Sequence, residues 1–435
     1  MTGWEDLRGN RVGVWGLGRE GQANLRKLRS IGVEPVLVDD RPADENVLAT
    51  SDGGLDALMK CDVVVKTPGI SHYRSDVTHL TNDGVAVLGG LGLWLAEQDL
   101  TRVVCVTGTK GKSTTTSVLG HLLTGLGYRC EVGGNIGTSP WDPGASSTAD
   151  YWAIEVSSYQ ATDLPCAPPV VAVTSLHPDH LDWHGGVERY YRDKLSVCTR
   201  PGAELTVANG DSDLLRDCRE LLGPRVEWVG ADDAPDADWM VPLGLLGQHN
   251  RRNALIAGRC IRALGLTATE HALRDAAVGY QPLPSRLTTI GSHGGVMFVD
   301  DSLSTNVLPT LAALDAFPGR RVALIVGGYD RGIDYAPLAA GLAARAAATL
   351  VLTVPENGPR IHAAIGDKPD VVDYADLDAA VTAGFRWARP DGVVLLSPAA
   401  PSFGQFHDYR DRGDAFARAV ASLRSLFQLI LDPVK

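Results

Sequence analysis

The run Val103 to Thr107 leads directly into Gly108-Thr109-Lys110-Gly111-Lys112-Ser113-Thr114, and a helical pattern continues from Lys112 to about Leu126. A buried strand, a glycine turn and a helix in that order open a crossover unit. Such a unit needs a parallel sheet with helices packed on it. Gly111-Lys112-Ser113 is the core of a phosphate-binding loop. Backbone N–H groups cradle phosphates, the lysine reaches the β- and γ-oxygens, and the hydroxyl holds Mg²⁺. The spacing departs from GxxxxGK[ST], because Val106 stands where the first glycine is expected and Gly108 lies three residues before Gly111. A chance Gly-Lys-Ser turn is the plain alternative; the strand before it and the helix after it weigh against that.

The same alternation extends both ways. Arg11 to Trp15, Glu34 to Val38 and Asp62 to Lys66 read as strands, and Gln22 to Ser30 as a helix. After the loop, Ala153 to Val156 and Val170 to Thr174 read as buried strands and Asn250 to Leu264 as a helix. From Leu283 to Ser285 onward come strands at Met297 to Val299, Val322 to Val326, Leu350 to Thr353 and Val393 to Leu396. Gly230 to Leu243, with several acidic residues and two prolines, predicts a surface hairpin or loop. A chain of 435 residues is too long for one core. The expected architecture is α/β in three domains: a Rossmann-like domain over 1–92, a P-loop ATPase-like domain with a parallel sheet over 93–284, and a second Rossmann-like domain over 285–435.

Gly16-Leu17-Gly18-Arg19-Glu20-Gly21 follows the first strand, and Asp39 and Asp40 end the next, about 20 residues on. Taken alone this is a dinucleotide fingerprint, and an NAD-dependent oxidoreductase is one reading. The same turn offers its N–H groups to any diphosphate, including that of a UDP-sugar. A glycine turn without a ligand is the bland alternative. The net charge of −12 disfavours a nucleic-acid backbone as partner. Seven scattered cysteines without a CxxC pair fit free thiols in the cytoplasm. No apolar run is long enough to span a membrane, and the polar start has no signal-peptide core.

Further segments resemble one family in a single order. TGTKGKST is similar to the ATP loop of the Mur and folylpolyglutamate ligases. Gly133 to Gly137 matches GGNIG, Glu155 to Gln160 matches ExSSFQ, and Asp179-His180-Leu181-Asp182 matches DHxD. Lys194 stands at the lysine the family carbamylates, and Gly247-Gln248-His249-Asn250 with Asn253 matches GQHNxxN. Pro284-Ser285-Arg286, Asp300 to Asn306 and Ser397 to Ser402 stand at P-H-R, DSKATN and SPACAS. The resemblance covers nearly the whole chain and is to the Mur ligases, most of all to the members that add glutamate to UDP-N-acetylmuramoyl-L-alanine.

The resemblance implies that ATP phosphorylates a carboxylate and that the amine of an amino acid then displaces phosphate. Charge builds on phosphoryl oxygens, so stabilisation falls to Mg²⁺, lysine and backbone amides. Lys112, Glu155, His180 and Lys194 would be catalytic. Ser113, Glu155, His180 and a carbamylated Lys194 would hold Mg²⁺, two ions in all. Gly108 to Thr114, Asn250, Asn253, Arg286 and Asp301 would bind ATP. Gly16, Leu17, Gly18, Asp39, Arg41 and Asn135 would bind the UDP-substrate, and Arg331, Ser402 and Tyr409 the amino acid. A cytoplasmic monomer in peptidoglycan synthesis is implied, without nucleic-acid or membrane partners. Bland alternatives are a solvated Glu155, a satisfied core His180 and a surface Lys194. His177 and His184 lie off the motif, with no ligand role expected.

Departures cluster in the third segment. Arg331 replaces a lysine, Leu303 replaces the lysine of DSKATN, Phe403-Gly404-Gln405-Phe406 replaces an LDQF-like run, Tyr409 replaces phenylalanine, and Ser285 replaces histidine. A guanidinium fork grips a carboxylate differently from an ammonium. These departures resemble the branch that adds L-glutamate and works with a glutamate epimerase. Addition of D-glutamate is the alternative, and a non-enzymatic UDP-sugar sensor is a further one.

Overall fold

A computed structural model of the chain describes residues 1–145, 148–234, 237–366 and 370–431, without the side chains of 424–431. Three sheets follow one another in sequence. The first holds β1 (Val12–Trp15), β2 (Val36–Asp39), β3 (Leu48–Ala49), β4 (Val63–Lys66) and β5 (Ala86–Gly89) in the order β3-β2-β1-β4-β5, all parallel. The second holds β6 (Val103–Thr107), β7 (Cys130–Gly134), β8 (Tyr151–Glu155), β9 (Val170–Val173), β10 (Leu205–Asn209) and β11 (Val226–Val229) in the order β11-β10-β9-β6-β8-β7, again all parallel.

The third holds β12 (Thr288–His293), β13 (Val296–Asp300), β14 (Val322–Val326), β15 (Thr349–Thr353), β16 (Val371–Asp373) and β17 (Val393–Leu396), ordered β12-β13-β17-β14-β15-β16. This sheet is mixed, because β12 and β13 form an antiparallel hairpin. Gly294 and Gly295 turn that hairpin with φ +53° and +80°, angles that favour glycine.

Burial explains the strand sequences. β6, β14 and β17 are buried at every position, as a parallel strand covered on both faces must be. In β14, Val322, Leu324 and Val326 join one core cluster while Ala323 and Ile325 join another on the opposite face. One cluster runs from Val12, Val14 and Trp94 into Val103, Cys105 and Ile154, so the first two sheets share a core. The chain divides into two compact units, Met1–Pro242 with Arg252–Tyr280, and Leu243–Arg251 with Gln281–Lys435.

The expectation of a surface loop over Gly230 to Leu243 needs correction. Asp238–Leu243 forms a 3-10 helix, with Trp239 and Met240 buried. The Trp239 ring lies where a Cβ on Gly258 would approach to 3.2 Å, so burial of an indole outweighs the acidic residues around it. Residues 235 and 236 of that segment lie outside the described ones. Among the described residues no helix is long and apolar enough to cross a membrane.

Candidate active site

β6 delivers the phosphate loop from the centre of the second sheet. Gly108 has φ +135° and Gly111 φ +88°. A Cβ on Gly108 would stand 2.3 Å from Thr174 Oγ1 and 2.8 Å from Ser175 N, and one on Gly111 would stand 2.7 Å from Asn253 Oδ1. The loop is braced from the end of β9. Thr109 N–H donates to Ser175 O at 2.9 Å, Lys110 N–H to Ser175 Oγ at 2.8 Å, and Thr174 Oγ1 to Lys110 O at 2.6 Å. Thr109 Oγ1 donates to His177 O at 3.1 Å and lies 2.8 Å from Tyr190 OH. Lys112 Nζ donates to Thr109 O at 3.2 Å.

The helix Lys112–Gly125 starts without a side-chain cap. Its first N–H groups therefore face the loop, where a phosphate is favoured. Gly108→Ala should cost about 2 kcal/mol or more in stability through backbone strain and the clash with Thr174. A melting curve matching the wild type would refute that account of the cradle.

Glu155 closes β8 and is buried. Its Oε1 accepts from Asn135 Nδ2 at 2.8 Å, while its Oε2 is buried with no partner. A buried carboxylate oxygen left unpaired is costly, and a hard cation would satisfy it. Lys194, on the helix Val187–Leu195, is also buried, which overturns the surface-lysine alternative. Its Nζ donates to Gly108 O at 3.1 Å and lies 5.1 Å from the Tyr190 ring centroid. Burial, and after it the neighbouring Lys112 charge, holds the Lys194 amine well below its ordinary pKa.

His180 sits at φ +50° with its side chain half exposed, and burial lowers its pKa. Lys110 Nζ lies 3.7 Å from Asp179 in the same segment. Among the described residues no group of three or more His, Cys, Asp or Glu gathers as a ready metal cage. Mg²⁺ sites that draw ligands from water and substrate phosphates do not need one, and the orphaned Glu155 oxygen fits such an ion.

The first sheet presents its glycine turn to the same region. Gly16 has φ +89°, and a Cβ on Gly21 would stand 1.9 Å from Gly16 O. Asp39 ties two loops together: Leu17 N–H donates to its Oδ2 at 2.7 Å and Arg41 N–H to its Oδ1 at 2.8 Å. Gly18 starts the helix Arg19–Ser30, and Arg19 Nη2 donates to Asn135 O at 3.0 Å. Gln160 Nε2 donates to Glu20 at 2.7 Å, and burial pushes the Glu20 carboxyl up to about 7.

The remaining candidates belong to the other compact unit. Asp301 is buried and accepts from Leu287 N–H at 3.0 Å, Ser304 Oγ at 2.5 Å and Ser397 Oγ at 2.7 Å, and burial pushes its carboxyl up to about 7. Ser285 donates to Asp300 at 2.9 Å, and Arg286 Nη1 to Pro284 O at 3.2 Å. Asn250 is buried, with Nδ2 donating to Leu246 O at 2.9 Å. Exposed Arg331 places its guanidinium carbon 5.5 Å from the Phe403 ring centroid, Ser402 is buried, and Tyr409 opens the last helix.

The structure thus brings Gly108 to Thr114, Asn135, Glu155, His180, Lys194 and Asn253 together in one unit with Gly16, Gly18, Asp39 and Arg41. It places Asn250, Arg286, Asp301, Arg331, Ser402 and Tyr409 in the other. Sequence reading missed the Thr174, Ser175 and Tyr190 brace and the buried Arg412, whose Nη2 donates to Ser302 O at 2.8 Å and Ala400 O at 3.0 Å. A polar Thr-Ser pair ending an apolar strand was the available signal for the brace.

Residues 106–261 match the Mur ligase middle domain and residues 285–400 the Mur ligase glutamate ligase domain. The chain belongs to the Mur ligase family, the ATP-dependent, Mg²⁺-using ligases of peptidoglycan synthesis. It is 40% identical to the UDP-N-acetylmuramoyl-L-alanine–L-glutamate ligase of a Micromonospora species, over 95% of this chain and 97% of that one. It is 38% identical to the protein of the same name from Xanthomonas euvesicatoria, over 95% of each. Among solved structures it is similar to the MurF ligase of Thermotoga maritima in complex with ADP, at 15% identity and a TM-score of 0.56 over 97% of each chain. At that identity the likeness concerns the fold. Family membership leaves no place for the oxidoreductase reading of Gly16 to Gly21.

Proposed function

We propose that the chain joins L-glutamate to UDP-N-acetylmuramoyl-L-alanine, with ATP converted to ADP and phosphate. The observation that carries the catalytic part is the buried, partnerless Glu155 Oε2 in the same unit as the glycine cradle and the buried Lys194 amine. The names of the relatives support the substrates.

In this reading residues 1–92 hold the UDP-substrate through Gly16 to Gly18, Asp39 and Arg41. Residues 93–284 hold ATP, and residues 285–435 hold the amino acid. The γ-phosphoryl group passes to the alanyl carboxylate, and the glutamate amine attacks the acyl phosphate. Lys112 and the loop amides neutralise charge on the transferring oxygens. Ser113 and Glu155 would hold one Mg²⁺, and His180 with Lys194 a second.

Only a neutral amine adds CO₂, and burial favours the neutral form of Lys194. The resulting carbamate would be a carboxylate-like ligand. Arg331, Ser402 and Tyr409 receive the amino acid, Asn250, Asn253, Arg286 and Asp301 serve the nucleotide, and Asn135 orients the UDP-substrate or the γ-phosphate. A monomer whose product passes to an epimerase belongs to the same reading.

Phosphate release with UDP-N-acetylmuramoyl-L-alanine, ATP, Mg²⁺ and each glutamate enantiomer tests it. L-glutamate should work at least about tenfold better than D-glutamate, about 1.4 kcal/mol in transition-state free energy. Inversion at Cα swaps the directions of the α-carboxylate and the side chain, and one cation cannot serve both placements equally. Arg331→Lys should lower activity with L-glutamate by loosening a two-pronged grip. A wild-type preference for D-glutamate would sink this choice of enantiomer.

A further inference from the structure

A buried hydrogen-bonded chain that no step above uses runs beside Lys194. His184 Nδ1 lies 2.6 Å from Asp193 Oδ2, and its Nε2 lies 3.0 Å from Ser158 Oγ. The other oxygen of Asp193 accepts from Tyr73 OH at 2.6 Å. Ser158, His184 and Asp193 are all buried, His184 completely. These are the residue types of a hydrolytic triad, but a hydroxyl sealed in this way has no substrate to attack.

What the chain joins is more telling. Ser158 starts the short helix Ser158–Ala161, three residues beyond Glu155. Asp193 precedes Lys194 on the helix Val187–Leu195. Tyr73 belongs to the first domain, on the connection after β4. That connection is fastened nearby, since Trp183 Nε1 donates to Gly69 O at 3.3 Å and Ser71 Oγ to Trp183 O at 3.3 Å. Rings fill the space around the chain: His184 stacks on Tyr159 at 5.6 Å, and Tyr73 meets Trp183 edge-on at 6.1 Å. Arg189 lies 4.7 Å from the Tyr73 ring centroid.

We propose that His184 is a positioning residue that fixes the separation of Glu155 and Lys194 through Ser158 and Asp193, and that Tyr73 completes this bracket from the UDP-substrate domain. The proposal rests on the reading of Glu155 and Lys194 as ligands of the two Mg²⁺ ions, one each. A hydrogen-bonded imidazole sets distance and orientation together, and partners behind metal ligands shift metal affinity or activity by about 10- to 100-fold when removed. The first domain then contributes to the metal site without supplying a ligand to it.

The test is the Mg²⁺ concentration for half-maximal phosphate release in His184→Phe, His184→Gln and Tyr73→Phe. His184→Phe keeps a ring but makes neither hydrogen bond, and should raise that concentration about tenfold or more. His184→Gln, whose amide can donate to Asp193, should recover part of the loss. Tyr73→Phe removes one hydroxyl from a half-exposed ring and should raise the requirement at least about twofold.

A merely structural role would lower the amount of folded enzyme and leave the Mg²⁺ requirement alone. An unchanged requirement in both phenylalanine variants overturns the proposal. If His184→Phe does not fold, Tyr73→Phe decides by itself. Lys194→Ala, assayed in parallel, separates the two readings. Full turnover there removes the metal-site reading, whereas an inactive Lys194→Ala beside unaltered phenylalanine variants removes only the bracket.

Discussion

Lys112→Ala should slow phosphate release by about 100-fold or more while leaving affinity for the UDP-substrate close to that of the wild type. Lys112 stands at the first position of its helix, and its Nζ reaches back to Thr109 O within the loop. In the proposed reaction its removal would delete a charge-assisted contact at the transferring group, and such contacts are worth most where water is excluded. The glycine turn at Gly16 lies on a different sheet, so binding of the UDP-substrate should be spared. Phosphate-release kinetics and calorimetric titration of the UDP-substrate make the comparison. A variant with near wild-type turnover would take Lys112 out of the reaction.

Lys194→Ala should be inactive, and acetate or another short carboxylate should restore part of the activity. The side chain is buried with its nitrogen 3.1 Å from Gly108 O. Truncation therefore leaves a hole beside the phosphate loop. A small carboxylate entering that hole would replace the oxygens of a carbamate, whereas a small amine would not. Activity that survives the mutation without added carboxylate contradicts a ligand role for this residue. Loss of activity that neither carboxylate nor amine restores would point to packing alone.

The three-sheet architecture was legible because its central strands are almost wholly apolar. Val103 to Thr107, Val322 to Val326 and Val393 to Leu396 coincide with β6, β14 and β17, buried on both faces and apolar but for Thr107, whose hydroxyl is paired with Val156 O. Edge strands were not legible. β11 reads Val-Glu-Trp-Val and β12 Thr-Thr-Ile-Gly-Ser-His, half-exposed sequences without a continuous apolar run. The phosphate loop announced itself by glycines needed at positive φ.

The burial of Lys194 was invisible, since Tyr-Arg-Asp-Lys on a helix suits a surface equally well. The bracket of Tyr73, Ser158, His184 and Asp193 could not be read from spacing either. Tyr73 lies 120 positions from Asp193 and is brought there by the packing of the first sheet's connections beside the second sheet.

The exposure of Arg331 and Phe403 has a consequence for engineering. Exposed positions of this kind usually change folding stability by no more than about 0.5 kcal/mol when substituted. Gly108 and Glu155, by contrast, sit in packing that leaves little freedom. Arg331 and Phe403 can therefore be randomised as a library, with failures of catalysis distinguishable from failures to fold, whereas the buried Ser402 cannot.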